Sequence, residues 1–267
     1  YWIERFFDIS FSFTAHANDI FAPKPFEISL GKLIGAARAI VTVSDFGAQF
    51  LRKKYPEDAK IHRIYNGIDL ARFPRAAFTA SPPLIVSIGR LIEKKGFHDL
   101  IEACRVLRER GLEFRCEIIG EGPLEGSLRD QITAAALTTV VALTGPLPQT
   151  KVAERLARSA IFALPCVTEA GGGMDNLPTV VMEAMAAGLP VASTPLGGVP
   201  EMVRDGITGI LVPEHEPVAM ADALAQIIAN QGLAQSFGEA GRRRAEELFA
   251  IDKSVRALRA LFHQARG

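Results

Sequence analysis

The sequence predicts an α/β protein built on a parallel sheet with helices on both faces, and three observations point there. From Pro83 onward, short apolar runs of strand length alternate with amphipathic segments of helical period. Three of those runs close on glycine, "SIG", "IIG" and "LTG", where a strand would turn into a helix. A length of 267 residues, 48% hydrophobic and 22% charged, suits an ordinary globular protein with room for two domains.

In chain order, "ISFSFT" at 9 to 14 alternates apolar and hydroxyl residues with period two, as a half-buried strand does. The opening "YWIERFFDISFSFTAH" reads as strand-like from its start, without an N-terminal helix, so the chain reads as part of a longer protein. A helix follows at "SLGKLIGAARA", a strand at "IVTVS", a helix at "DFGAQFLRKKY", and a strand at "IHRIY" before the Asn66-Gly67 turn. The proline and alanine run from Pro74 to Pro83 reads as a linker. The strands "PLIVSIG", "FRCEIIG", "VVALTG", "IFALP", "PVAST" and "TGILVP" then alternate with helices. Those helices are "GFHDLIEACRVLRERG", "PLEGSLRDQITAAA", "QTKVAERLARSA", "VPEMVRD" and "EPVAMADALAQIIAN". In the first, Leu100, Cys104 and Leu107 share a face. A tail helix from about Asp252 to Gln264 carries Val255, Leu258, Leu261 and Phe262 as one apolar stripe. Parallel sheets of this kind bind ligands at the carboxyl ends of their strands, so the segments after "SIG", "IIG", "LTG" and "ALP" hold the candidate site.

Composition excludes several classes. Lysine plus arginine and aspartate plus glutamate both number 30, which argues against nucleic acid held by bulk charge. Cys104, Cys116 and Cys166 form no CxxC pair and read as reduced thiols. The five histidines show no metal-ligand spacing such as HExxH, and no cofactor is expected. No apolar run reaches the ~18 residues of a membrane span, and no signal peptide opens the chain.

Four motifs carry candidate chemistry. In "GRLIEKKG", Gly89 ends a strand while Arg90 and Lys95 stand before a helix. Two cations there suit an anionic diphosphate; a solvated charged loop is the alternative. "GEGPLEG" approximates a dinucleotide fingerprint, which would make the chain an NAD-dependent enzyme. Its third glycine comes one place late, and "VVALTG" ends without the ribose-binding carboxylate, so a tight strand-to-helix turn is the simpler reading. In "VTEAGGGMDNLPTVVMEAMAAGLPVAS", Pro178 opens a helix, Asp175 lies in the loop before it, and Glu183 lies about one and a half turns in. Both carboxylates could bind sugar hydroxyls while the first helical amides meet a phosphate. The alternative makes Asp175 a cap and Glu183 a surface residue, but small neighbours around Glu183 imply burial, and buried carboxylates need partners. In "TAHAND", His16 and Asp19 follow a strand end, where a lone histidine is more often structural than catalytic.

"SIGRLIEKKGFHDLIEA", "IIGEGP", "DNLPTVVMEAMAAGLPVAST" and "GGVPEMVRDGITGILV" together resemble the donor-binding domain of family 4 glycosyltransferases of the GT-B fold, over roughly residues 83 to 250. "FSFTAHANDIF" and "VTVSDFGAQFLRKK…IYNGIDLARF" resemble the later half of that family's N-terminal domain. The variant "DNLPTVVMEAMA" after a glycine-rich loop is most similar to enzymes of bacterial exopolysaccharide assembly, of the colanic-acid type. The resemblance implies a partial N-terminal, acceptor-side domain at 1–74, a complete Rossmann-like nucleotide-sugar domain at 75–251, and a helix at 252–267 crossing back to the first.

It further implies transfer of a hexose from a UDP- or GDP-sugar donor to a saccharide or lipid-linked saccharide acceptor, with retention of configuration and without metal. Glu183 would hold the ribose hydroxyls and Asp175 the transferred sugar. At Asp175 the family's glutamate is shortened by one methylene, and its following glycine is Asn176 here. Arg90 and Lys95 would hold the diphosphate beside Gly89, the amides of Thr179 and Val180 a phosphate, and backbone near Leu147 the base. Asn176 and Leu177 complete the donor set, and His16 would stand near donor sugar and acceptor. His16, Asp175, Arg90 and Lys95 would be the catalytic group. The expected place is the cytoplasm, with room for peripheral contact with the inner face of the cell membrane through residues 1–74. A nucleotide-sugar-binding remnant without turnover is the rival from another class.

Overall fold

The computed structural model describes residues 2–7, 9–21, 28–55, 60–78 and 80–264. Tyr1 and Asp8 of the opening stretch, position 79 of the linker and residues 265–267 of the tail lie outside them. Two parallel sheets organise the rest. The first has the order β1 (Ser12–Ala15), β2 (Ala39–Thr42), β3 (Ile61–Arg63). Its central strand, the β-branched "AIVT", is buried at all four positions, as suits a strand covered on both faces. Around it lie α1 (Trp2–Phe7), α2 (Ala17–Ile20), α3 (Leu30–Ala36) and α4 (Asp45–Lys54). In α4 the Ser44 side chain caps the Gly47 amide, Asp45 sits in the first turn, and Arg52, Lys53 and Lys54 fill the last. That distribution opposes the helix dipole at both ends.

The second sheet is formed by β4 (Leu84–Ile88), β5 (Arg115–Ile119), β6 (Val141–Gly145), β7 (Ile161–Leu164), β8 (Val191–Ser193) and β9 (Gly209–Leu211). Their spatial order is β6-β5-β4-β7-β8-β9, all parallel. This is the doubly wound order in which the chain runs outward from the centre one way and then the other, so helices cover both faces. The helices are α5 (Phe97–Glu109), α6 (Glu125–Ala134), α7 (Gln149–Arg158), α8 (Thr179–Ala186), α9 (Val199–Met202), α10 (Pro217–Ala229), α11 (Gln231–Leu248) and α12 (Ile251–Gln264). Leu100, Ile101, Cys104 and Leu107 of α5 have no exposed surface, and each leucine or isoleucine so buried stabilises the fold by about 1.5–3 kcal/mol. The strand order reverses between β4 and β7, which fixes where a ligand crevice opens.

Two expectations are corrected, and two helices lie outside them. The opening residues form helix α1 rather than continuing the strand, and "AND" after His16 is the short helix α2. The helix expected over "VPEMVRD" stops at Met202. The 18-residue helix α11 was not anticipated at all. Its interior Gly238 and Gly241 lower helix propensity, yet a Cβ at Gly238 would collide with the Gly188 carbonyl beside α8. In the tail, Leu258 and Leu261 of α12 pack with Ala39, Val41 and Ile64 of the first sheet, while Val255 and Phe262 of the same stripe remain about half exposed, at 45% and 48%. Among the described residues no helix is long and apolar enough to cross a membrane.

Candidate active site at the strand-order reversal

The loops that leave β4 and β7 flank the reversal point and press against each other. Gly96, which ends the β4 loop, has φ +66, and a Cβ there would collide with the Pro165 carbonyl at the end of β7. Only glycine meets both demands. Between the ends of β4, β5 and β6 lies a cavity of about 760 Å³ lined by Gly89, Arg90, Gly120, Glu121, Glu125 and Leu147, among others. Gly89, Arg90 and Leu147 thus line one cavity. Arg90 is exposed. The stem of Lys95 lies beside Gly89, 3.3 Å from where a Cβ would stand.

The glycines of "GEGP" have a different occupation from phosphate binding. A Cβ at Gly120 would collide with the Gly89 carbonyl, and one at Gly122 would lie 2.5 Å from that of Leu91. They make room for the neighbouring loop, which is the tight-turn reading and removes the motif that suggested NAD.

Lys95 reaches across to the β7 loop, where its ammonium lies 2.5 Å from Asp175 Oδ2. Lys94, itself 9% exposed, lies 3.6 Å from Asp175 Oδ1 and donates to Asn18 Oδ1 at 3.3 Å. One carboxylate therefore faces two ammonium groups. The Cys166 thiol donates to Asp175 Oδ2 at 3.8 Å; full burial and then the Asp175 charge push its pKa up to about 12, so it stays a neutral thiol. Asn18 belongs to α2, whose start is His16. The His16 amide donates to Asp19 Oδ2 at 2.8 Å, fixing that turn. His16 is exposed, on the turn that Lys94 ties to Asp175.

Helix α8 begins at Thr179, with Pro178 at its cap rather than inside the first turn. Val181 donates to the Pro178 carbonyl. The Thr179 and Val180 amides, one step earlier, are the groups a helix start leaves open. Glu183 is partly buried, and desolvation raises its carboxyl pKa, opposed by the Arg72 charge.

Asn176 and Leu177 differ from expectation. Asn176 is 2% exposed: its Oδ1 accepts from the Ser44 hydroxyl, and its Nδ2 donates to Thr42 Oγ1 at 3.4 Å. Leu177 is buried in the core. Neither side chain is open to a donor here. Two residues that sequence reasoning passed over also matter. Lys94 was overshadowed by its neighbour Lys95. Glu201, inside the quoted "GGVPEMV", accepts from the amides of Asp45 and Phe46, both at 2.8 Å, and from the Tyr65 hydroxyl at 3.0 Å. Burial and the Glu201 charge raise the Tyr65 pKa, so the phenol remains a donor.

Comparison with known proteins places this geometry. Residues 71–244 match the model of glycosyl transferases group 1, and residues 2–72 that of glycosyltransferase family 4. The chain is 43% identical over 188 residues to WcaL of Escherichia coli K12, provisionally named a colanic acid biosynthesis glycosyltransferase, covering 70% of this chain and 46% of that one. It is 42% identical over 146 residues to AmsK of Erwinia amylovora, an amylovoran biosynthesis glycosyltransferase, covering 55% and 36%. The chain thus spans about half the length, or less, of these curated relatives. The crystal structure of Anabaena HepE in complex with UDP-glucose superposes with a TM-score of 0.85 at 18% identity, over 98% of this chain and 74% of that one. That likeness establishes the fold, two Rossmann-like sheets in the GT-B arrangement. With well over half its residues matched by the one model, the chain belongs to the glycosyl transferases group 1 family.

Proposed function

We propose that the crevice between β4 and β7 binds a nucleoside-diphosphate sugar, UDP- or GDP-linked, and that the protein transfers its hexose to a saccharide or lipid-linked saccharide in exopolysaccharide assembly. The observation that carries this reading is the meeting of Lys95 and Asp175, 2.5 Å apart, beside a cavity edged by Gly89, Arg90 and Leu147. The names of the curated relatives support the assembly context, and the UDP-glucose bound by HepE supports the donor class. Arg90 and Lys95 hold the diphosphate together with the Thr179 and Val180 amides, a cation pair added to a helix start. Glu183 accepts from the ribose hydroxyls and Asp175 from a hydroxyl of the transferred sugar.

Transfer then needs a stabilised leaving group more than a protein nucleophile. The acceptor hydroxyl attacks the anomeric carbon on the face that the diphosphate leaves, and its proton passes to the departing phosphate oxygen. Configuration is retained, and the two cations take the charge that a metal would otherwise meet. His16 stands where the acceptor approaches. A cytoplasmic place belongs to the same proposal, as does peripheral contact with the membrane through residues 1–74, where Phe7 and Ile9 are 72% and 57% exposed.

The test is a thermal-shift screen of UDP- and GDP-sugars with chelator present, followed by assay of nucleoside diphosphate released with an oligosaccharide acceptor. At a hundredfold excess over Kd, a specific donor should add about 2.7 kcal/mol of stability. A donor that stabilises without release marks a binding remnant; no stabilisation by any donor rejects the reading.

A further inference from the structure

At the residue after Asp175, the loop that follows β7 reaches the first sheet. Asn176 lies in a slot that two glycines leave open. A Cβ at Gly47 would stand 2.6 Å from Thr42 Oγ1 and 2.8 Å from Asn176 Nδ2, and one at Gly198 would stand 2.6 Å from the Asn176 carbonyl. The Gly198 amide donates to that carbonyl at 2.6 Å. The side chain reaches Ser44 and Thr42, at the end of β2 and the cap of α4. Ser44 Oγ also accepts from the Gly47 amide at 2.8 Å. The next two amides of that helix start, Asp45 and Phe46, are taken by Glu201 from α9 of the second sheet. The α4 helix start, the Asn176 side chain and carbonyl, and α9 therefore form one largely buried hydrogen-bonded network joining the two sheets.

We propose that Asn176 is a positioning residue that couples approach of the first sheet to the placement of Asp175. Docked on Ser44 and Thr42, its side chain fixes the peptide from which Asp175 projects towards Lys94 and Lys95. With the sheets apart, a buried amide loses its partners, and the loop is free to carry Asp175 out of register. The first sheet, which bears His16, then has to be in place before Asp175 can meet the transferred sugar. This rests on the donor reading above, but it assigns Asn176 no contact with the donor.

The test uses the whole chain labelled at Lys53→Cys on α4 and Asp130→Cys on α6. Cys104, Cys116 and Cys166 are buried, so the introduced thiols take the labels. Distances between labels, and affinities for UDP, UDP-glucose, GDP and GDP-mannose, are measured in the unaltered sequence, in Asn176→Ala and, from the other side of the network, in Thr42→Val and Ser44→Ala. Asn176→Ala and Ser44→Ala should each lengthen or broaden the label distance. They should also shift the ratio of nucleotide-sugar to bare-nucleotide affinity about fivefold against the sugar, the factor of one net hydrogen bond; Thr42→Val should do so more weakly. A lower melting temperature with distance and ratio unchanged would make Asn176 a packing residue and overturn the proposal, as would a changed distance with an unchanged ratio. If the unaltered chain binds neither nucleotide pair, the donor reading itself fails, and the ratio can no longer support the coupling.

Discussion

Asp175 and Glu183 are eight positions apart in sequence, but their surroundings set them different tasks. Asp175 faces two ammonium groups, whereas Glu183 meets desolvation first, offset in part by the Arg72 charge. A carboxyl whose folded pKa is raised holds its proton more tightly folded than unfolded, so its charged form weakens the fold as pH rises. Glu183→Gln should therefore raise the melting temperature at neutral pH. The gain should vanish as pH falls through the raised pKa to below the ordinary glutamate value of 4.5, because both forms are then neutral. The same variant should weaken binding of the bare nucleotide and the nucleotide-sugar alike, by about 1–3 kcal/mol. Asp175→Asn should spare the bare nucleotide and reduce sugar discrimination by a similar amount. Calorimetry and a pH series of melting curves read both. The roles proposed for Arg90, Lys95, Asp175 and Glu183 rest on motif resemblance. The pairing of Lys95 with Asp175, 80 positions apart, was not, since no local spacing rule joins two loops that only the sheet brings together. The partners of Asn176 were hidden for a related reason: a polar residue beside a ligand loop looks like a ligand contact until Ser44 and Thr42 of the other sheet are seen to hold its side chain.

At the scale of elements, the strands and helices with strong periodicity were legible, from β4 to α10 with few exceptions. The misses came where packing overrode propensity. Helix α11 carries glycines that weaken any sequence-based expectation of a helix, and Gly238 is there because α11 lies against the Gly188 carbonyl. Gly238→Ala should cost about 1–3 kcal/mol through the displaced backbone contact. Gly126→Ala, in α6 with open space around it, should instead be neutral or stabilise by up to about 1 kcal/mol. Chemical denaturation of the pair measures the contrast. Helix α1 was hidden because "WIERFF" has too few residues to display a period. The tail helix shows the converse: its stripe was visible, but only the fold reveals that Leu258 and Leu261 meet the first sheet while Val255 and Phe262 do not. Leu261→Ala should accordingly cost about 2–3 kcal/mol, and Phe262→Ala far less.

For the whole molecule, the two sheets are tied by the Glu201 cap on α4, by Asn176, by the Ser254 hydroxyl on the Tyr65 carbonyl at 2.8 Å, and by the packing of α12. The strand order of the second sheet leaves a single reversal point, and the charged loops meet there. In the function proposed above, this meeting place grips a diphosphate with protein cations. Titration of UDP and GDP, with chelator present, into the unaltered chain and into Arg90→Ala and Lys95→Ala tests it most directly. Each substitution should weaken the bound nucleotide by about 1.5–3 kcal/mol, the range for hydrogen bonds to charged groups, with no metal required. Unchanged affinity in both variants, or binding that appears only when manganese or magnesium is added, would contradict it.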